Sequence, residues 1–391
     1  MVPKEWINVS LGDVITYKKG FAFDSSNFQS HGVQIIRISD TTSNSISLKN
    51  PIYVSKEVAA KLTAFIVHEG DIVLSTVGSR PHLVDSMVGK AVRIPKETEG
   101  SLLNQNLVKL IPKKSVIIND YLYLMVKKSR FIYFISTLIR GNANQVSITL
   151  KELFKYKFPL PPLIEQKKIT QILSTWDKAI TTTEKLLVNS EQQKKALVQQ
   201  LLTGEKRFSE FNGIWQKNKL KDIVNVYYGK SPKDILELSG KFPIIGTSGI
   251  TGYTNKYIAK GASVIIGRKG TINKPQLING PFWAIDTTFY CLAKININIC
   301  WFFYYLNIIN LLNYNEASGV PSLSRETIYE IIIKTPSIEE QNKIANVLSL
   351  SDQQIKFLQK KLDYLKQEKK ALMQQLLTGK KRVKVAEINN A

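Results

Sequence analysis

Residues 161–207 and 336–382 of this chain are copies of one another. They align without a gap, and about half of the aligned positions are identical. Glu165-Gln166 matches Glu340-Gln341, Leu173-Ser174 matches Leu348-Ser349, and Asp177 matches Asp352. The ends agree best: Gln199-Gln200-Leu201-Leu202-Thr203-Gly204 falls on Gln374-Gln375-Leu376-Leu377-Thr378-Gly379. A weaker echo precedes each copy. Trp6, Leu11, Asp13, Val14 and Gly20 fall on Trp215, Leu220, Asp222, Ile223 and Gly229 at one offset, and Ile35-Ile36 continues on Ile244-Ile245. Beyond that the halves diverge. A chain built this way must fold as variable half, shared segment, variable half, shared segment.

Each shared segment is expected to be one long helix. Prolines stand at the entries (Pro159, Pro161 and Pro162; Pro336), where their fixed φ suits a helix start. Gly204 and Gly379 stand where a helix ends in a left-handed residue. In the second copy Leu348, Ile355, Leu358, Leu362, Leu365, Leu372 and Leu376 fall on alternating spacings of a heptad seam. The first copy keeps the register with Leu173, Trp176, Ile180, Leu187, Leu197 and Leu201. Two separate amphipathic helices would satisfy a shorter pattern. A seam this long points instead to an antiparallel coiled coil of the two helices, because chain connectivity then closes. Helices of about 40 residues would make a rod of ~60 Å with a globular half at each end and a pseudo-twofold axis.

The expected fold is therefore α/β. It comprises a mixed α/β globular domain at 1–160, a coiled-coil helix at 161–207, a second such domain at 208–335, a second helix at 336–382 and a tail at 383–391. Short β-type runs include Val33–Ile38, Gly70–Leu74, Ala91–Ile94 and Leu107–Ile111 in the first half, and Phe242–Ile245, Ala262–Ile266 and Thr288–Ala293 in the second. Helical stretches are expected near 120–137 and 298–313. The residues alone leave the strand order open.

Charge narrows the function. Lys plus Arg number 54 against 31 Asp plus Glu, a formal net charge of +23. Nucleic acid is the natural partner of such a chain, since each neutralised phosphate releases a counterion. No basic amphipathic anchor points to a membrane, and no apolar run is long enough to span one. The opening residues lack the apolar core of a signal peptide, and Cys291 and Cys300 make no CxxC pair. A cytoplasmic protein without disulfide or zinc is expected. The loops richest in donors supply the candidate DNA contacts. They are Lys18, Lys19, Ser79, Arg80, His82, Arg140, Asn142, Asn144 and Gln145 in the first half, and Lys230, Lys233, Thr247, Ser248, Arg268, Lys269 and Thr271 in the second.

Catalytic signatures are missing. No GxGxxG follows a strand, no GxxxxGK[ST] occurs, and HExxH and GxSxG are absent. Asp234, Glu237 and Lys241 match a metal-nuclease pattern poorly. No catalytic or metal-binding residue is assigned.

The Pro-rich entry followed by Glu-Gln, and the Gln-Gln-Leu-Leu-Thr-Gly helix end, both present twice, resemble the conserved regions of specificity subunits of type I restriction-modification systems. The Trp6…Leu11-Gly12-Asp13 opening and Gly70-Asp71-Ile72-Val73 are similar to parts of their target-recognition domains, although the second half carries Lys221-Asp222 and Gly261-Ala262 instead. The resemblance implies a non-catalytic subunit that binds a bipartite site in double-stranded DNA. It also implies two modification (methyltransferase) subunits as partners, with ATP-dependent restriction subunits in the holoenzyme. S-adenosylmethionine, ATP and Mg would belong to those partners, and this chain would hold no cofactor. A stand-alone DNA methyltransferase or nuclease, and a non-specific nucleic-acid-binding scaffold, are the competing readings.

Overall fold

A computed structural model describes residues 3–384 except 43, 80–87, 140–145 and 238. The chain divides into two units, Met1–Ile180 with Tyr364–Ala391, and Thr181–Asp363. The long helices run Leu163–Thr203 and Ile338–Leu376, so each contributes one end to each unit. Gly204 and Gly379 follow them with φ of 75° and 72°, the left-handed conformation that glycine adopts without a Cβ clash.

The first unit is built on a four-stranded antiparallel sheet. Its order is Ile15–Lys19, Leu107–Pro112, Ile72–Ser75, Ala91–Arg93. The central strand Ile72–Ser75 is buried throughout, because the sheet is covered on both faces. Ile72 and Leu74 join a large core with the helices Asn119–Val126 and Ser129–Leu138 and the adjoining ends of the long helices. Val73 points the other way, with Ile36 and Leu103 of a three-stranded sheet ordered Ile52–Val54, Val33–Ile36, Leu102–Leu103. The expected helical stretch near 120–137 is two helices. Lys128 between them is extended, and the ammonium groups of Lys127 and Lys128 donate to the carbonyls of Ala91 and Leu377.

The second unit repeats this plan, including the parts whose sequences do not align. Its four-stranded sheet runs Val224–Tyr228, Thr288–Ala293, Ser263–Gly267, Gln276–Ile278, again antiparallel. Val264 and Ile266 face the helical core, and Ile265 faces the second cluster with Ile245 and Phe282. The three-stranded sheet is ordered Gly249–Thr254, Phe242–Gly246, Trp283–Ala284, with one antiparallel and one parallel pairing as in the first unit. The helix Ile299–Ile308 lies within the stretch expected from sequence.

The duplicated residues of the long segments do the same work twice. In the first unit the buried Glu165 carboxylate accepts from Trp6 Nε1 at 3.4 Å and from Arg382 Nε at 2.9 Å. In the second, Glu340 accepts from Trp215 Nε1 at 3.1 Å and from Arg207 Nε and Nη2 at 2.8 and 2.6 Å. Gln166 accepts from the Ile118 N–H and donates to the carbonyls of Val116 and Pro161. Gln341 accepts from Asn298 and donates to Asn296 and Pro336. Each Glu-Gln pair thus fastens a helix start to its own globular half and to the end of the other long helix.

Within each unit the two helix ends run antiparallel. In the first, Glu165 pairs with Arg382 and Asp177 with Lys369 (2.5 Å), so one numbering rises as the other falls. In the second, Lys194 pairs with Asp352 (2.5 Å) and Arg207 with Glu340. Of the seam residues, Leu173, Leu187, Leu201, Leu348, Leu358, Leu362 and Leu376 are buried. Trp176, Ile180, Leu197, Ile355, Leu365 and Leu372 are half-buried. No described helix is long and apolar enough to cross a membrane.

Candidate nucleic-acid interface

Arg80, His82, Arg140, Asn142, Asn144 and Gln145 lie outside the described residues. The other sequence candidates divide between the edges of the sheets and exposed turns. Lys18 and Lys19 end the edge strand Ile15–Lys19 of the first unit. Lys18 is half-buried with its ammonium 4.7 Å from the centre of the Phe65 ring, while Lys19 is exposed. Ser79 is half-buried and its carbonyl accepts from the Val88 N–H. In the second unit Lys230 and Lys233 are exposed, and the Lys230 carbonyl accepts from Trp283 Nε1 at 2.8 Å. Thr247 and Ser248 form the tip of the hairpin that joins Phe242–Gly246 to Gly249–Thr254. Lys269 and Thr271 are exposed, and Arg268 is half-buried.

Backbone hydrogen bonds bring several of these to one place and show that the place exists twice. The Gly20 N–H donates to the Leu107 carbonyl and the Gly229 N–H to that of Thr288, both at 3.0 Å. Both glycines are required by close approach, since a Cβ would stand 2.0 Å from the carbonyl oxygens of Asn104 and Ile285 respectively. Lys19 and Tyr228, the residues before them, therefore occupy equivalent positions. Thr76 donates its N–H to the Asn106 carbonyl and accepts from Ile148; Arg268 donates to Thr287 and accepts from Leu323. Thr149 and Ser324 then cap the short helices Leu150–Leu153 and Arg325–Glu330. Lys19, Thr76, Leu150 and Lys151 of the first unit thus correspond to Tyr228, Arg268, Arg325 and Glu326 of the second.

In the first unit this place is a cleft of about 440 Å³ lined by Tyr17, Lys19, Thr76, Gln105, Thr149 and Lys151 among others. Lys19, Gln105 and Lys151 are exposed within it. In the second unit the carbons at the centres of the Arg268 and Arg325 guanidiniums lie 5.4 and 5.3 Å from the centre of the Tyr228 ring. Tyr228 itself rests against Phe289, ring centres 5.0 Å apart. Arg268 Nη1 donates to the Asp286 carbonyl at 3.2 Å, and Arg325 Nη2 pairs with Glu326 at 3.3 Å. The Arg325 Nε is buried without a hydrogen-bond partner.

Of the residues that line these two places, the sequence candidates include Lys19 and Arg268 and not Tyr228, Gln105, Lys151 or Arg325. Ser324-Arg325-Glu326 reads as an ordinary helix start, and long-range backbone pairings, from Leu323 to Arg268 and from Gly270 to Pro321, bring Arg325 to this place. The opening Asp13 and Asp222 have a local role: each accepts the backbone N–H three residues back, from Ser10 at 2.9 Å and Lys219 at 3.2 Å. Asp71 likewise accepts from the His68 N–H and from Lys109 Nζ. Cys291 is buried and Cys300 half-buried, and burial pushes both thiols above their ordinary range. Among the described residues no group of three His, Cys, Asp or Glu side chains could hold a metal ion.

The family model for the type I restriction modification DNA specificity domain matches residues 3–190 and again 212–367, most of the chain. Over 428 aligned residues the chain is 26% identical to the type I restriction enzyme MjaVIII specificity subunit of Methanocaldococcus jannaschii, covering 98% of this chain and 94% of that relative. Among solved structures, the type I restriction-modification system S subunit from M. genitalium matches with a TM-score of 0.66 at 16% identity, covering 96% of each chain. The HsdS subunit from Thermoanaerobacter tengcongensis matches with a TM-score of 0.51 at 17% identity, covering 97% of this chain and 98% of that one. At those identities the structural likeness speaks for the fold.

Proposed function

The chain belongs to the family of type I restriction-modification DNA specificity proteins, and on that footing we propose that it is the sequence-reading subunit of a type I complex, each half binding one element of a two-part site in double-stranded DNA. The observation that carries this reading is the duplicated frame. The same strand order, the same glycine approach and the same Glu-Gln fastening bring cationic side chains to the equivalent strand end of each unit. A net charge of +23 supplies the sequence-independent attraction to the phosphate backbone.

In this reading the chain contributes recognition and no chemistry. Two modification subunits methylate adenine with S-adenosylmethionine, and restriction subunits translocate and cut with ATP and Mg. The two elements are separated by a fixed number of unread base pairs. The complex works in the cytoplasm, where its DNA is.

The test is methylome sequencing of a host that carries this chain with its modification partner. The expected result is methylated adenine confined to two short elements with a constant spacer, lost when the gene for this chain is removed. Methylation that persists unchanged without the chain would overturn the reading.

A further inference from the structure

The two halves of this chain are an internal comparison. Where both units need the same thing, the residues agree: Trp6 and Trp215, Glu165 and Glu340, Gln166 and Gln341, Gly20 and Gly229, Arg382 and Arg207 stand in matching roles. At the strand ends that hold Lys19 and Tyr228 the backbone is equally matched but the side chains are unlike. Lys19, Thr76 and Leu150 face the roles of Tyr228, Arg268 and Arg325. A site that only gripped phosphate would be served by the same cations in both units, because every phosphate is alike. A site that read bases would have to differ if the two DNA elements differ.

The chemistry in the second unit narrows the ligand. Two guanidiniums lie beside one tyrosine ring, where their mutual repulsion is offset by the ring quadrupole. Among the described residues the single carboxylate paired with either of them, Glu326, is 68% exposed and therefore weakly coupled. A guanidinium carries five N–H donors in a rigid fork. Arg268 uses its fork on one carbonyl at 3.2 Å, and Arg325 Nη2 meets Glu326 at 3.3 Å. The remaining exposed donors of the two forks fit a paired acceptor edge. In duplex DNA that edge is O6 and N7 of guanine in the major groove.

We propose that this strand-end place, a cleft in the first unit and the arginine pair beside Tyr228 in the second, is the base-reading site of each unit, and that Arg268 and Arg325, held against Tyr228, take guanine in the element read by the second unit. In the first unit Lys19, Gln105 and Lys151 read the other element. Tyr228 acts as a positioning residue: it fixes the two forks and touches no base edge. The inference rests on the two-part reading proposed above and names the residues that carry it.

The experiment is selection from a random-sequence duplex library by the full chain in complex with its modification subunits, followed by sequencing. The wild-type complex should return two elements. Arg268→Lys and Arg325→Lys keep the charge but lose the fork, and each should weaken the preference for one guanine in one element by roughly 5- to 150-fold. The other element should stay intact, which also certifies that the variant is folded. Gln105→Ala and Lys19→Gln should alter the other element alone. Tyr228→Phe keeps the ring and should leave the motif unchanged, whereas Tyr228→Ala should relax the same guanines as the arginine variants.

Two results would overturn the proposal: a motif unchanged in both elements for all of the arginine and lysine variants, or a uniform loss of affinity with the motif preserved, which is the signature of phosphate anchoring. A wild-type complex that returns no two-part motif would overturn the preceding reading, and this one with it.

Discussion

Glu340→Ala should be the most destabilising single change in the shared segments of the second unit. The Glu340 side chain is 2% exposed and takes three charge-assisted or indole hydrogen bonds, from Arg207 Nε and Nη2 and from Trp215 Nε1. Removing one partner of a buried pair costs about 3–5 kcal/mol, most of it from the stranded charge. Here the remaining guanidinium is 25% exposed and keeps a bond to the Gly213 carbonyl, so water can reach it and the lower end applies, about 3 kcal/mol. For a unit of this size that is roughly 6–12 °C in melting temperature. Glu340→Gln retains shape and acceptor and should lose about half as much. Glu165→Ala should cost less, about 2 kcal/mol, because Arg382 is 37% exposed and the Trp6 bond is longer at 3.4 Å. Thermal unfolding with hydrogen exchange reads both the size and the place. Faster exchange confined to residues 181–363 is expected for Glu340→Ala. A loss below about 1 kcal/mol, or exchange that rises in the first unit instead, would refute the claim that this carboxylate fastens the second unit.

Burial, together with the neighbouring Lys90 and Lys369, lowers the Lys127 amine to about 8, so the folded protein holds this proton less tightly than the unfolded chain. Stability should therefore rise as pH climbs from about 8 towards 10.5. Lys127→Met should raise the melting temperature at pH 7 by roughly 2–4 °C and by less at pH 10, as unfolding curves at both pH values will report. Affinity for duplex DNA should fall by about 10³–10⁵ between 50 and 200 mM salt if six to ten phosphates are contacted, and a flat salt profile would remove the electrostatic part of the account. Inserting seven residues after Ile180 alone should disrupt the helix pairing. Matched insertions after Ile180 and after Asp363 keep the Asp177–Lys369 and Lys194–Asp352 pairs within their units and should lengthen the spacer by about three base pairs, read from methylome motifs.

The parts of the fold legible in the sequence are those whose determinants are local and occur twice. The proline entry, the Thr-Gly exit and the heptad spacing each lie within a few residues, and duplication in register raised them above background. Glu165 and Gln166 were visible as a pair for the same reason, though what they bond to was not. The strand order was hidden because it is set by pairings such as Ile72 with Leu110 and Ile35 with Leu102, many residues apart. Both sheet faces of Ile72–Ser75 are buried, so no alternation betrayed which residue faces which layer. The candidate site was half visible. Loop cations such as Arg268 announce themselves by composition. Arg325 and Tyr228 do not: one sits at a helix start and the other at a strand end, and only the folded backbone puts them side by side.

The central claim is that each half of the chain reads one element through its own copy of a shared frame. It is tested most directly by replacing residues 1–160 with the corresponding half of another family member, leaving both long helices and residues 208–335 untouched, and mapping methylated sites in the host genome. The account predicts that one element of the site changes while the other element and the spacer stay as they were. A single continuous site before the exchange, or a change in both elements after it, would contradict it.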